Sequence, residues 1–310
     1  MKACALHHVR FAVTDLDRTE AFGTDFGLIT VSRTPAQLIM RTSGGDAFCY
    51  IAEQAAERGF RGLAFTVDSM AALEEAVAVH GASPVTALET PGGGWGVSLT
   101  DPEGLRVDLV YGIARQDGDL GHEPITLNHH NRKDRVNAAQ SKRVLGPAKL
   151  HRLGHLGLYV RDYATISAWY RDVLGLLVSD TMHVPGQPDQ KVVGFLRIDA
   201  GDELVDHHTV FLGQFGRTDC HHISFETQDF EAQFMAHRWL EKQGWECNWG
   251  VGRHPLGSHV FDLWFDPDRY RWETFSDTDV VDAGRSAENH DIHHSEMDMW
   301  SSDSPERYFA

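Results

Sequence analysis

Two stretches far apart in this 310-residue chain repeat one another, and that repetition limits the possible folds more than any other feature. LHHVRFAVTDLDRTEAFGTDFGL, from Leu6, returns as LGHLGLYVRDYATISAWYRDVLGL, from Leu153. Each reads as a short alternating strand, an Asp-bearing turn, an amphipathic helix and a Gly that stops it. GLAFTVDSMAALEEAVAVHG, from Gly62, is matched in the same way by HISFETQDFEAQFMAHRWLEKQG, from His222. Further strands follow each unit, and DPEGLRVDLVYG from Asp101 parallels DPDRYRWETFSD from Asp266. The chain therefore reads as four βαβββ modules, two in each half. A single module leaves open sheet edges and an exposed apolar face, so two must pair into a curved, cup-like sheet with helices outside. The expected class is α+β. The expected boundaries are an amino-terminal domain over 1–127, a linker over 128–149, a carboxy-terminal domain over 150–285 and an acidic tail over 286–310. The linker is basic and ends in Gly-Pro.

Composition narrows the function classes. A formal charge of −17 opposes binding to nucleic acid or to an anionic membrane. Cys4, Cys49, Cys220 and Cys247 show neither CxxC spacing nor the density of a disulfide scaffold, which suits a reducing cytoplasm. The amino terminus runs straight into a strand-like segment without a signal-peptide pattern, and no run of eighteen apolar residues occurs. A cytoplasmic protein is expected. The tail reads as solvated, with His290, His293 and His294 close together, although Trp300, Tyr308 and Phe309 would gain by folding back over the cup or onto a neighbouring subunit.

Setting the two halves in register places His8 against His155, Gly62 against His222, and Asp108 against Glu273. The set is intact only in the second half. Two imidazoles and one carboxylate from separate strands form a facial triad, which holds a divalent metal and leaves adjacent positions open. No HExxH zinc motif is present, so Fe(II) is expected, with Mn(II) as the alternative. His155, His222 and Glu273 are the candidate ligands, and the first half is scaffold. The segment DHHTVFLGQFGRTDCHHISFE, from Asp206, adds two His-His pairs, each opening an alternating run that reads as one of two neighbouring strands.

From His155 through Asp279, the motifs LGHLGLYV, DHHTVFL, CHHISFE, GVGRHPLGSHVFD and DPDRYRWETFSD resemble the type I extradiol ring-cleavage dioxygenases of the vicinal oxygen chelate superfamily. The two-halves organisation extends the likeness over about residues 4–285. The resemblance implies Fe(II)-dependent meta cleavage of a catechol-type diol with O2 as co-substrate, giving a muconic semialdehyde-type product. It implies His155, His222 and Glu273 as ligands, His208 as the acid-base group, titrating near neutrality, and His254 as a second histidine hydrogen-bonding the substrate. His207 and His221 would then point away, by strand alternation. Where the family usually carries a Tyr ten residues before the Glu ligand, this chain has Leu263. Trp249 and Arg253 flank the GVGRH turn and are candidate pocket borders with Leu263. The expected partner is a small aromatic diol, and a homo-oligomer is expected. The same modules also build metal-dependent isomerases or epimerases and small-molecule binding proteins, which are the rival readings.

Overall fold

The protein is described from a computed structural model covering residues 1–119, 126–137, 144–293 and 297–302. Its chain forms an eight-stranded sheet within residues 5–111 and a ten-stranded sheet within residues 150–301. The four expected modules are present. In each, the first and last strands lie side by side in parallel: Ala5–Val13 with Tyr50–Gln54, Gly59–Thr66 with Arg106–Tyr111, Leu150–Val160 with Val210–Gln214, and Asp219–Thr227 with Arg271–Ser276. Parallel neighbours need a crossover, and the intervening helix and strands supply it. The two modules of each half join through their first strands, which pair antiparallel.

Four helices, α1 (Leu16–Phe26), α2 (Met70–His80), α3 (Tyr163–Leu174) and α4 (Phe230–Gln243), follow these first strands. Asp15, Ser69, Asp162 and Asp229 cap them by accepting from first-turn amides, and Gly27, Gly81, Gly175 and Gly244 end them. Only Gly, which lacks a Cβ, adopts the left-handed turn at those ends without strain. The buried faces of the two halves share one apolar core. Trp272 sits at its centre, with ring centroids 5.2 Å from Phe22, 5.3 Å from Phe26, 4.8 Å from Tyr50 and 5.5 Å from Phe225. Strand alternation sends Trp272 into this core and its neighbour Glu273 to the opposite, concave face.

One expectation is corrected and two are qualified. The strands that follow the two His-His pairs are not neighbours; both flank the Leu150–Val160 strand. The first histidines of the pairs do stay out of the cavity that His208 and His222 line, but each keeps its Nδ1 beside that of its neighbour, at 3.2 Å for His207 and 2.7 Å for His221. His221 is the extra residue of a bulge between Cys220 and His222, and His207 precedes its strand in a bend, so simple alternation fails at both. The tail is largely exposed over its described residues, as expected, but it is also paired into the sheet. Glu288–Asp291 pairs with the edge strand Leu177–Val184, and Trp300–Ser301 pairs with the edge strand Cys247–Arg253. Both edges would otherwise present unpaired amides and carbonyls. His290 lies in the first of these added strands, whereas His294, Tyr308 and Phe309 lie outside the described residues. Among the described residues no helix is long and apolar enough to cross a membrane, and no disulfide joins the four cysteines.

Candidate metal centre

Sheet register builds the site. His155 pairs with Ser224, Ser224 with Glu273, Glu273 with Leu263, and Leu263 with Trp249, forming one lateral row across five strands. Residues in one row share a face, and His222 stands two positions along the strand from Ser224. The donor atoms of His155, His222 and Glu273 consequently lie within 4.8 Å of one another, and all three residues are buried. Ser224 Oγ donates to Glu273 Oε1 at 2.5 Å, which orients the carboxylate. His222 has its room because its register partner is Gly157, where a Cβ would meet His222 Nδ1 at 2.5 Å.

His208 and His254 line the same cavity, with Met182, Phe195, Phe211 and Leu256 supplying apolar walls. The His208 ring lies 4.5 Å from that of His155. Its Nδ1 is 3.2 Å from His207 Nδ1, and His207 Nε2 is 2.7 Å from Asp180 Oδ2. His254 Nδ1 meets the Met297 carbonyl at 2.6 Å, while its ring stacks on Phe261 at 4.1 Å. The cavity also contains His259, which the sequence pattern does not single out: its Nε2 is 3.7 Å from Glu273 Oε1. The available signal was its place five residues after His254, in the same turn. Met297 closes one side.

The electrostatics favour metal binding. Burial pushes both His155 and His222 down to about 3, leaving neutral imidazoles, the form that ligates. Burial, followed by the neighbouring imidazoles of His155, His207, His259 and His222, also holds His208 well below its ordinary value. The expectation that His208 titrates near neutrality is therefore corrected. Burial opposes ionisation of Asp180, yet hydrogen bonds from His207, Arg285 and the Glu288 N–H override it and hold the carboxyl at about 2.

Leu263 and Trp249 share the concave face but are fully buried, packed with Phe261 under Met297 instead of lining the cavity. Arg253 turns aside to Asp277, at 2.7 Å, and to the Ser258 carbonyl. The equivalent cup of the first half contains His8 and Asp108 but offers Gly62 in the third position.

The residues fit a divalent ion. Three mutually close donors are buried, and His155 Nε2, although 3.1 Å from Glu273 Oε1, is not aligned for a hydrogen bond and has no other partner. A buried polar atom left in that state is costly unless something else ligates it.

Residues 152–274 match the family model described as Glyoxalase/Bleomycin resistance protein/Dioxygenase superfamily. Metapyrocatechase 2 of Cupriavidus necator is 28% identical over 312 residues, covering 99% of this chain and 91% of that protein. Among solved structures, the Mn(II)-bound glyoxalase from Novosphingobium aromaticivorans superposes with a TM-score of 0.80 at 22% identity, covering 99% of this chain and 94% of its own. The 2,3-dioxygenase LapB from Pseudomonas sp. KL28 gives 0.78 at 18% identity, with coverage of 94% and 99%. Homoprotocatechuate 2,3-dioxygenase from Brevibacterium fuscum, in complex with 3,4-dihydroxyphenylacetate, gives 0.79 at 16%, with coverage of 99% and 92%. This chain shares its fold with these structures. The residues matched by the superfamily model, 152–274, contain the intact set His155, His222 and Glu273.

Proposed function

We propose that this protein is an extradiol ring-cleavage dioxygenase, using Fe(II) and O2 to open an uncharged catechol-type diol next to one hydroxyl and release a muconic semialdehyde-type product. The observation that carries this reading is the buried His155, His222 and Glu273 set, with three further imidazoles around the same apolar cavity. A non-redox isomerase needs no such surplus of histidines, and a mere binder needs no metal. The similarity to Metapyrocatechase 2 along nearly the whole chain supports the same choice.

His155, His222 and Glu273 would hold the ion, which when bound supplies Lewis-acid polarisation and open positions at which a diol and dioxygen meet. The chain's own groups handle the protons. Ionised Asp180 keeps a proton on His207 Nε2; when His207 is neutral its Nδ1 then accepts from His208 Nδ1–H. That tautomer leaves the lone pair of His208 on Nε2. His208 can thus take a proton from a substrate hydroxyl and return it later in the reaction. His254 Nδ1 is engaged by the Met297 carbonyl, which leaves its Nε2 as the atom that can accept from the diol. Met182, Phe195, Phe211, Leu256 and Met297 exclude water. No Lys or Arg is among the cavity's described residues, which favours an uncharged ring over a carboxylated one.

Anaerobic Fe(II) titration tests the assignment of ligands. One ion per chain is expected, with binding lost in His222→Ala and Glu273→Ala but kept in His208→Ala. Equal binding by all four proteins would overturn it.

A further inference from the structure

The cup of the first half has lost its metal set, but it has not been filled. A cavity of about 50 Å³ remains there, as large as the cavity of about 40 Å³ at the metal centre. On the usual allowance for a water that is room for roughly four molecules, or one small organic ion.

The two cups differ by an exchange across one pair of strands. In the second half Gly157 faces His222, whereas in the first half Arg10 faces Gly62. The bulky side chain has moved to the other strand, and an imidazole that would bind a cation has become a guanidinium. The exchange is locked sterically, since a Cβ at Gly62 would meet the Arg106 carbonyl at 2.5 Å. Ser98 lies opposite Asp108, as Leu263 lies opposite Glu273, and donates to Asp108 Oδ1 at 2.6 Å.

Charge in this cup is unbalanced toward the cation. Asp108 is flanked by two guanidiniums: Arg106 Nε at 2.7 Å and Arg10 Nε at 3.5 Å. The other nearby carboxylate, Glu53, is half-exposed and 3.9 Å from Arg10. Three polar atoms of cavity-lining residues are buried without a hydrogen bond: His8 Nε2, Arg10 Nε and Thr90 Oγ1. His8 is only 2% exposed. Burial lowers the affinity of Arg10 for its proton, against the opposing carboxylates of Asp108 and Glu53 and with the help of Arg106.

We propose that the amino-terminal cup is a second binding site, taking a small monocarboxylate of two or three carbons between Arg10 and Arg106, with His8 Nε2 and Thr90 Oγ1 completing its hydrogen bonds. Planar guanidiniums match a carboxylate in geometry and charge. The adjacent Asp108 disfavours a dianion.

The test is a titration of the metal-loaded full chain with acetate, pyruvate and inorganic phosphate at constant ionic strength, read by calorimetry. Saturable binding of one acetate or pyruvate per chain is expected, unaffected by a catechol bound anaerobically, with phosphate at least tenfold weaker. Arg106→Gln, at a half-exposed position, is expected to weaken carboxylate binding at least tenfold while leaving Fe(II) content unchanged. Arg10→Gln should do the same, and if it does not fold Arg106→Gln decides alone. The proposal is overturned by absence of saturable binding, by displacement of acetate by catechol, by phosphate binding as well as carboxylate, or by Arg106→Gln binding like the parent protein.

Discussion

His207 Nε2 lies 2.7 Å from Asp180 Oδ2, and the same carboxylate accepts from Arg285 and from the Glu288 N–H. One buried acid thus joins the His207–His208 pair to the returning tail. Asp180→Asn removes the charge and leaves Arg285 and His207 short of their partner, a break that costs about 3 kcal/mol in buried pairs. The expected result is a lower melting temperature and a turnover reduced about tenfold, with Fe(II) content unchanged. Thermal melts, metal analysis and steady-state kinetics check it. Unchanged turnover would show that His208 acts without this support.

The buried imidazoles set the acid stability. An unfolded chain protonates its histidines near pH 6.5, whereas His155 and His222 resist protonation down to about 3 and His208, His221 and His259 are likewise held low. Between those values the unfolded state binds more protons, so stability falls as the pH drops below about 6.5, by up to roughly 1.4 kcal/mol per pH unit for each such group. Chemical denaturation of the metal-free protein at pH 7, 6 and 5 is expected to give successively lower midpoints. A flat profile over that range would contradict the burial of neutral histidines.

Leu263 fills a closed cluster with Trp249 and Phe261 beneath Met297. Leu263→Tyr is therefore expected to overpack the site, costing about 1–3 kcal/mol, and to leave turnover of plain catechol no higher than in the parent. A melt and a kinetic comparison decide the point. A stable variant with faster turnover would mean that the position opens onto the substrate.

How much of this was legible in the sequence follows from the range of the interactions involved. The modules could be read because each local unit, an Asp or Ser cap, a helix and a terminating Gly, repeats at matching positions. The set His155, His222 and Glu273 was readable for the same reason, since internal comparison exposes the substitution of Gly62. His259 was not, because its approach to Glu273 depends on how one turn folds back over the sheet. The bulge at His221 and the bend at His207 break the alternation from which their directions were expected. The tail reads as solvated from its charge, yet edge strands far away in sequence capture Glu288–Asp291 and Trp300–Ser301. Leu263 illustrates the same limit: its row is fixed by register, but its burial depends on Met297.

Oxygen uptake by Fe(II)-loaded protein with a panel of uncharged and carboxylated catechols tests the central claim most directly. One O2 consumed per uncharged diol is expected, with a yellow product containing both oxygen atoms and slower turnover of carboxylated rings. An iron-loaded protein that consumes no oxygen with any diol of the panel would contradict it.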